Sequence, residues 1–465
     1  MVWLLALSIG WADRNPTCGT VAHLSRETFV PPVYTPRPSA DKQLRDIYGM
    51  ENTMTSVNFA VHYGNDYPHN TEDVEAILLY LEESWDFFVG ERDYLPPHST
   101  DTYLLNVYIG NTAVNGPDIP DNVAGYFTND SQGFPMLVLD TSIAAYHGKL
   151  TIAHEFFHAL QMSNASLEPT SNLAGRWYLE ATAVWAEGEI YPNEIGTIGQ
   201  IASFALNPHF SINYFTTQAG SFTFGYPYGA GILFRYLTDY WVDHTFVKRS
   251  FEQGDLGNII NWWRNALAEE GLEFSAVYSE FAARNAFWDY DVADDLAQIV
   301  AMTAVSFPEY DNHLAVSIDG KGTDGWVSPP EETLPQWYGY NHIRINNPSD
   351  FSLYFSFEGD AVGSKGSPAK WGAYIVMQQG QGYAYKEIPL VDNKGEAGME
   401  GFSTIGSGTM SIVAWSDEYV EGETFGYQYS IGAPQLRSER ECGCTLSRGF
   451  LLLFPGLLVY RRVRA

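Results

Sequence analysis

Two histidines and a glutamate lie within one short segment, where the chain reads HEFFH from His154 to His158. On a helix, residues four positions apart lie on one face, so His154 and His158 can present two imidazole nitrogens to one metal ion. Zinc binds imidazole readily and lowers the pKa of a bound water to about 7. Glu155 lies beside the histidines and can accept that water's proton. The segment therefore predicts two zinc ligands and a catalytic base for hydrolysis at a carbonyl group.

The neighbouring residues predict the helix that this chemistry requires. Ile152, Phe156, Ala159 and Leu160 recur at helical spacing, which is typical of a half-buried amphipathic helix. A helix that carries two unrelated histidines is the alternative interpretation. We favour the metal site because the motif falls inside this apolar helical pattern.

A third ligand is expected downstream, because catalytic zinc normally has three protein ligands and one water. Residues 177–187 show a second amphipathic helical pattern, and Glu180 follows His158 after 21 intervening residues. A loop of this size lets the second helix cross the first. We predict Glu180 as the third ligand and Glu187, two turns further on, as a group that supports the ligands. A solvent-facing carboxylate is the alternative for Glu180.

These residues resemble the gluzincins, HExxH peptidases whose third zinc ligand is a glutamate on the next core helix. That helix often carries a Trp-x-x-Glu pattern followed by small residues, which Trp177, Glu180, Ala181 and Ala183 match. The resemblance implies a two-lobed zincin-like catalytic domain that binds Zn²⁺ between its lobes. Thermolysin-like members also carry an aspartate four residues after the ligand glutamate. This chain has Val184 there, so the residue that orients a ligand histidine stays open.

Spacing separates this chain from two related families. Metzincins continue after the motif with glycine and a third histidine, and residues 159–168 contain neither. Gly49–Asn52 resembles the end of the exopeptidase motif of zinc aminopeptidases, but it begins 105 positions before His154, much farther than in that family. We interpret this match as coincidental. An aminopeptidase of related fold is the nearest alternative function.

Peptide hydrolysis also needs a hydrogen-bond donor to the developing oxyanion. We predict that Tyr228, at the start of the next long helical pattern, is this donor, with Tyr226 and His209 as further candidates. Tyr228 also begins an apolar stripe that continues through Ile232 and Tyr236. Core packing is therefore the alternative role for Tyr228.

Composition indicates a large, acidic, globular protein. The 465 residues are 45% hydrophobic and 15% aromatic, which suffices for more than one core. A net charge of −31 argues against a nucleic-acid partner and suits solubility outside the cell. The three cysteines cannot build a disulfide scaffold, and none lies near the HExxH segment to suggest thiol catalysis.

The two ends of the chain predict export. Residues 1–12 are apolar and end in small residues, as in a signal peptide, and a buried N-terminal strand is the alternative. Near the other end, Cys442 and Cys444 precede an apolar run and an arginine cluster, in a tail that resembles the MYXO-CTERM sorting signal. The resemblance implies a secreted protein on the cell surface or outer membrane. Its tail would be transiently or permanently membrane-associated, and a plain membrane anchor is the alternative.

The fold class is predicted as α+β, in five segments. A signal peptide (1–12) and a Pro-rich arm (13–45) precede a catalytic domain (46–300), an all-β sandwich (301–435) and the sorting tail (436–465). Strands are predicted at 57–63, 103–109, 134–140, 340–345, 351–357, 371–377 and 410–415. Helices beyond the two at the motif are predicted at 71–90, 195–206, 226–243, 257–270 and 273–290.

The strand at 134–140 is expected to be an edge strand beside the motif, because a peptide substrate lies along such a strand in gluzincins. The sandwich is interpreted as an accessory domain. The sequence thus predicts a monomeric, secreted or surface-anchored zinc endopeptidase that acts on protein or peptide substrates. An alternative from a different functional class is a non-catalytic surface-binding or adhesion protein with a structural zinc.

Overall fold

The structure is a computed structural model. It describes residues 17–18, 42–68, 71–121, 123–144, 148–164, 175–192, 201–216, 222–290, 316–319, 322–323, 325–346, 352–379, 382–400 and 407–432. The predicted signal peptide, most of the Pro-rich arm and the predicted sorting tail lie outside these residues. Within them, no helix is both long enough and apolar enough to cross a membrane.

A mixed six-stranded sheet forms the first part of the molecule. Its strands lie in the order β1-β5-β6-β4-β3-β2, in which β3, β4 and β6 run parallel and β5 pairs antiparallel with β6. The strands are β1 (Thr17–Cys18), β2 (Asn52–Thr55), β3 (Phe59–Tyr63), β4 (Leu105–Ile109), β5 (Val123–Asn129) and β6 (Pro135–Leu139). The predicted strand at 134–140 is therefore present as β6. The expectation that it is an edge strand is wrong, because β5 pairs along its outer side.

Helices cover one face of this sheet and continue beyond it. The HExxH segment lies on α2, whose apolar side packs on the sheet through Phe156 and Phe59, with ring centroids 5.6 Å apart. The helices are α1 (Thr71–Trp85), α2 (Gly148–Asn164), α3 (Arg176–Ile190), α4 (Tyr226–Gly229), α5 (Gly231–Tyr240), α6 (Thr245–Gln253), α7 (Ile259–Glu269) and α8 (Phe274–Asn285). A π-helical segment, Asp86–Glu91, extends α1, and residues 201–205 are helical.

Two further sheets form the last part of the described chain. A five-stranded sheet has the order β11-β10-β13-β8-β7, and a three-stranded antiparallel sheet has the order β12-β9-β14. Buried side chains of both sheets, such as Ile375 and Phe355, share one hydrophobic core. The strands are β7 (Val316–Asp319), β8 (Tyr340–Asn346), β9 (Ser352–Gly359), β10 (Lys370–Gln379), β11 (Gly382–Glu387), β12 (Lys394–Glu400), β13 (Ser407–Trp415) and β14 (Tyr427–Gly432). We call Val316–Gly432 the two-sheet region.

The largest core runs from the first sheet through the helices into the two-sheet region, where it includes Trp337, Tyr338 and Tyr340. Arg264 on α7 strengthens this junction, because its guanidinium donates to the carbonyl oxygens of Asp417 at 2.7 Å and Ser416 at 3.2 Å. The expected α+β class is confirmed by this combination of sheets and helices.

Candidate metal centre

The crossing of α2 and α3 brings the predicted ligands together. α2 begins at Gly148, where a Cβ atom would come within 2.2 Å of the Ile143 carbonyl oxygen, so the close approach requires glycine. His154 and His158 project from α2, and Glu180 projects from α3. All three are buried, with exposures of 4%, 1% and 1%. Both helices also carry buried alanines, such as Ala153 on α2 and Ala183 on α3, whose small side chains allow close packing.

The ligand atoms are spaced for a single ion. Nε2 of His154 lies 3.2 Å from Oε2 of Glu180, and Nε2 of His158 lies 3.6 Å from the same oxygen. One ligand atom from each of the three residues can be chosen so that all lie within 4.8 Å of one another. The group could therefore hold a metal ion.

Electrostatics favour the ionised form of Glu180. Burial alone would raise the pKa of its carboxyl group, but hydrogen bonds to His154 and His158, together with their positive charge when protonated, outweigh that effect. The net result lowers the pKa of Glu180 to about 2. The two histidines thus favour the ionised form of this carboxyl group.

A second set of side chains holds the histidine rings. Nδ1 of His154 donates to Oε1 of Glu187 at 2.7 Å, because a carboxylate can only accept. Glu187 lies on α3, two turns after Glu180, and this contact orients the ring of His154. Nδ1 of His158 lies 2.7 Å from Oε1 of Gln161. Sequence reasoning missed Gln161, although it lies one turn after His158 on the same helix.

Glu155 is completely buried between α2 and the first sheet. Gly125 on β5 lies against it so closely that a Cβ atom there would come within 3.0 Å of Cγ of Glu155. β5 was not predicted from the sequence, because alanine and glycine interrupt its apolar alternation. The strand thus forms one wall beside the candidate catalytic base.

Tyr228 lies next to the ligand group. Its ring stacks on that of His154 with centroids 5.9 Å apart and an interplanar angle of 21°. The further candidates are placed differently. Tyr226 donates to the carbonyl oxygen of Phe210 at 3.3 Å, in an aromatic cluster that includes Phe204, and His209 stacks edge-on against Phe210. Tyr228 therefore contacts the ring of a candidate ligand.

The residues that resemble an exopeptidase motif lie far from β5 in the sheet. Glu51 immediately precedes β2, the edge strand opposite to β1 and β5. Asp46 holds the turn before it by accepting the backbone amides of Gly49 at 3.0 Å and Met50 at 2.8 Å. These contacts give the segment a structural role as a turn into the sheet.

Comparison with known proteins places the chain in a family. Residues 25–385 match the profile of a family described as a family of unknown function, DUF6055. The chain belongs to the DUF6055 family. The matched range contains every member of the candidate metal centre.

No curated protein matches the sequence. Among solved structures, the pre-peptidase C-terminal domain of a collagenase from Bacillus anthracis is similar over 25% of this DUF6055 chain and 93% of its own length. The identity is 16% and the TM-score is 0.17. A similarity at this level carries no argument about fold or function.

Proposed function

We propose that this DUF6055 protein is a zinc metallopeptidase of the gluzincin type, secreted or held at the cell surface. The observation that carries the proposal is the buried group of His154, His158 and Glu180, together with the complete burial of Glu155, which follows His154 on the same helix. A closed structural site usually has four protein ligands and needs no adjacent base. Three ligands with a neighbouring carboxylate suit a catalytic site.

The donor chemistry of the group supports zinc. Two imidazole nitrogens and one carboxylate oxygen form the ligand set of several zinc hydrolases, whereas calcium and magnesium prefer oxygen ligands throughout. Glu187 and Gln161 contact the Nδ1 atoms and so leave the Nε2 atoms directed toward Glu180. When bound, Zn²⁺ would supply an acidified water and polarise the substrate carbonyl.

Glu155 and Tyr228 have distinct roles in this proposal. The carboxylate of Glu155 accepts a proton from the attacking water and passes it to the leaving amine. The hydroxyl of Tyr228 donates a hydrogen bond to the oxygen of the scissile carbonyl as negative charge develops there. The stacking of Tyr228 on His154 supports this role because it holds the phenol beside the ligand group.

The architecture fits the same proposal. The first sheet with α1 and α2 would form one lobe, and the helices from α3 onward would form the other, with the metal at their junction. β5 would form one wall of the cleft, because Gly125 contacts Glu155. The two-sheet region would be a sandwich domain that supports the helical lobe rather than the reaction.

The central experiment measures casein cleavage by the purified protein. We expect a chelator to abolish cleavage and added Zn²⁺ to restore it. Glu155→Gln should bind Zn²⁺ with wild-type stoichiometry but lose at least about 10²-fold in rate, because it removes the base and leaves the ligands in place. A matched control is Glu189→Gln, which alters a carboxylate on α3 that pairs with Arg92 at 3.5 Å. This control should remain active.

The outcomes separate the alternatives. Full activity in Glu155→Gln would refute the mechanism. Cleavage of an amino-acid anilide, but not of a blocked peptide, would indicate an aminopeptidase. Stoichiometric zinc without any hydrolysis would support a surface-binding protein with a structural metal.

A further inference from the structure

We propose that Gln161 is a positioning residue that fixes the tautomer of His158 and sets the distance between the two ligand helices. The inference rests on the metal centre within the proposed function, but it does not depend on peptide hydrolysis. It holds whether or not the metal centre catalyses a reaction, provided that the same three residues bind the ion.

The orientation of the Gln161 amide is determined by its partners. Nε2 of Gln161 donates to the carbonyl oxygen of Leu179 at 2.9 Å and to Oγ1 of Thr182 at 2.9 Å. A backbone carbonyl can only accept, so the group that faces it must be the amide NH₂. Rotating the amide by half a turn would place two oxygens against each other in a buried site, where an unpaired acceptor is costly.

Thr182 reinforces this assignment. Its hydroxyl donates to the carbonyl oxygen of Tyr178 at 2.7 Å, so its proton is already committed. The hydroxyl oxygen can then accept from Gln161. Both protons of the amide are satisfied in this way, and the Gln161 side chain is 1% exposed.

The remaining polar atom of the Gln161 amide, Oε1, determines which nitrogen of His158 carries a proton. With Nε2 of Gln161 committed to α3, Oε1 faces Nδ1 of His158 at 2.7 Å. An amide oxygen can only accept, so Nδ1 of His158 must carry a proton. In the neutral ring, Nε2 then keeps its lone pair for a metal, and Nε2 is the atom that lies 3.6 Å from Glu180.

The same amide connects the two ligand helices. Leu179 immediately precedes Glu180, so its bond to Gln161 ties the backbone of α3 at the third ligand to α2 at the second ligand. His154 is oriented by an anion, Glu187, whereas His158 is oriented by this neutral group. A neutral partner avoids adding another buried negative charge to Glu155, Glu180 and Glu187.

The test is Gln161→Leu, which removes all three hydrogen bonds and keeps a similar volume. We expect Zn²⁺ affinity, measured by competition with a chromophoric chelator, to fall about 10- to 100-fold. The matched control is Asn164→Leu, on the same helix. Asn164 makes three hydrogen bonds, two with Leu95 and one with the Leu160 carbonyl, and none with the ligand group. Its Zn²⁺ affinity should stay within about twofold of wild type.

A second measurement needs no variant. In the metal-free wild-type protein, where no ion fixes the tautomer, ¹⁵N-edited NMR of the histidine side chains should show a proton on Nδ1 of His158 that exchanges slowly with solvent. Absence of that proton would overturn the proposal, and so would equal Zn²⁺ affinities for Gln161→Leu and Asn164→Leu. If Gln161→Leu does not fold, the wild-type spectrum still decides. A protein that has the proton but does not cleave casein would refute the peptidase and leave this inference standing.

Discussion

The polar side chains at the crossing of α2 and α3 form a connected network instead of a set of solvated charges. Burying a carboxylate without partners costs several kcal/mol. Here Glu180 and Glu187 both contact His154, so charge-assisted hydrogen bonds offset that cost. These hydrogen bonds within the protein hold the side chains of the candidate ligands in place.

At the scale of single residues, Tyr228→Phe tests the oxyanion donor. The change removes one hydroxyl and keeps the ring that stacks on His154. We expect Zn²⁺ stoichiometry to be unchanged and kcat on casein or a peptide substrate to fall about 10²- to 10³-fold, as for other donors to an oxyanion.

Tyr236→Phe provides the comparison for Tyr228→Phe. Tyr236 is buried on α5, and its hydroxyl accepts from Nε1 of Trp241 at 2.8 Å, away from the ligand group. Loss of the Tyr236 hydroxyl should lower the free energy of unfolding without a specific effect on kcat. Equal rates for the two variants would assign Tyr228 to core packing, the alternative that its apolar stripe suggests.

At the scale of elements, β5 and α2 together determine where Glu155 lies. β5 is held antiparallel to β6 through a turn in which Oδ1 of Asp130 accepts the amides of Gln132 at 2.8 Å and Phe134 at 3.0 Å. Gly125 then lies against Glu155 because it lacks a side chain. The strand that sequence reasoning did not predict is thus the one that borders the candidate base.

Gly125→Ala tests this contact between elements. The added methyl would lie 3.0 Å from Cγ of Glu155 and 3.2 Å from both a Leu139 methyl and the Val138 carbonyl oxygen, so the side chain of Glu155 must shift. We expect normal Zn²⁺ binding and a loss of up to about 10²-fold in kcat. Gly382→Ala is the control, because a Cβ atom at that strand position meets nothing within 4 Å. Wild-type kcat in Gly125→Ala would contradict the assigned role of Glu155.

The success of prediction at this scale depended on periodicity. α2, α3, α7 and α8 have apolar residues at helical spacing, and each was predicted to within a few residues. α6 and β14 were not predicted, since each is short and has only three apolar or aromatic residues. Gln161 carried no signal at all, because a buried glutamine in an apolar helix is recognisable only when its partners on α3 are known.

At the scale of the whole molecule, the two-sheet region is continuous with the rest. Ser211 and Ile212 donate their backbone amides to Gln336 at 3.1 Å and to the Trp337 carbonyl at 3.1 Å. The same segment contacts Tyr226, which opens the helix that carries Tyr228. Packing of the two-sheet region therefore stabilises one wall of the candidate site.

The stability of the whole protein should depend on pH through His342. Burial lowers the pKa of this imidazole to about 3, and the nearby charge of Arg344 acts in the same direction. Between about 6.5, the pKa of an unfolded histidine, and 3, the unfolded chain binds a proton that the native chain does not. The free energy of unfolding should therefore decrease as the pH is lowered from about 6.5 to 3, by up to about 1.4 kcal/mol per pH unit.

His342→Asn isolates that contribution. Asparagine can place a polar atom near the Nδ1 position, which lies 2.8 Å from Oγ of Ser411, but it does not titrate. Urea unfolding between pH 7 and 4 should show a shallower dependence in the variant than in the wild type. Part of the dependence should remain, since burial also lowers the pKa values of His62 and His98. Parallel curves for the two proteins would exclude His342 as a source.

The sequence by itself determined the candidate ligands and the helices that carry them. His154, His158 and Glu180 are recognisable because helical periodicity and short-range spacing are local properties of the chain. Only the tertiary structure decided the role of Gln161, the choice of His154 as the partner of Glu187, the position of β5 against Glu155, and the shared core with the two-sheet region. Each of these depends on side chains from separate segments that meet only when the helices cross and the sheet pairs, so no local pattern could have specified them.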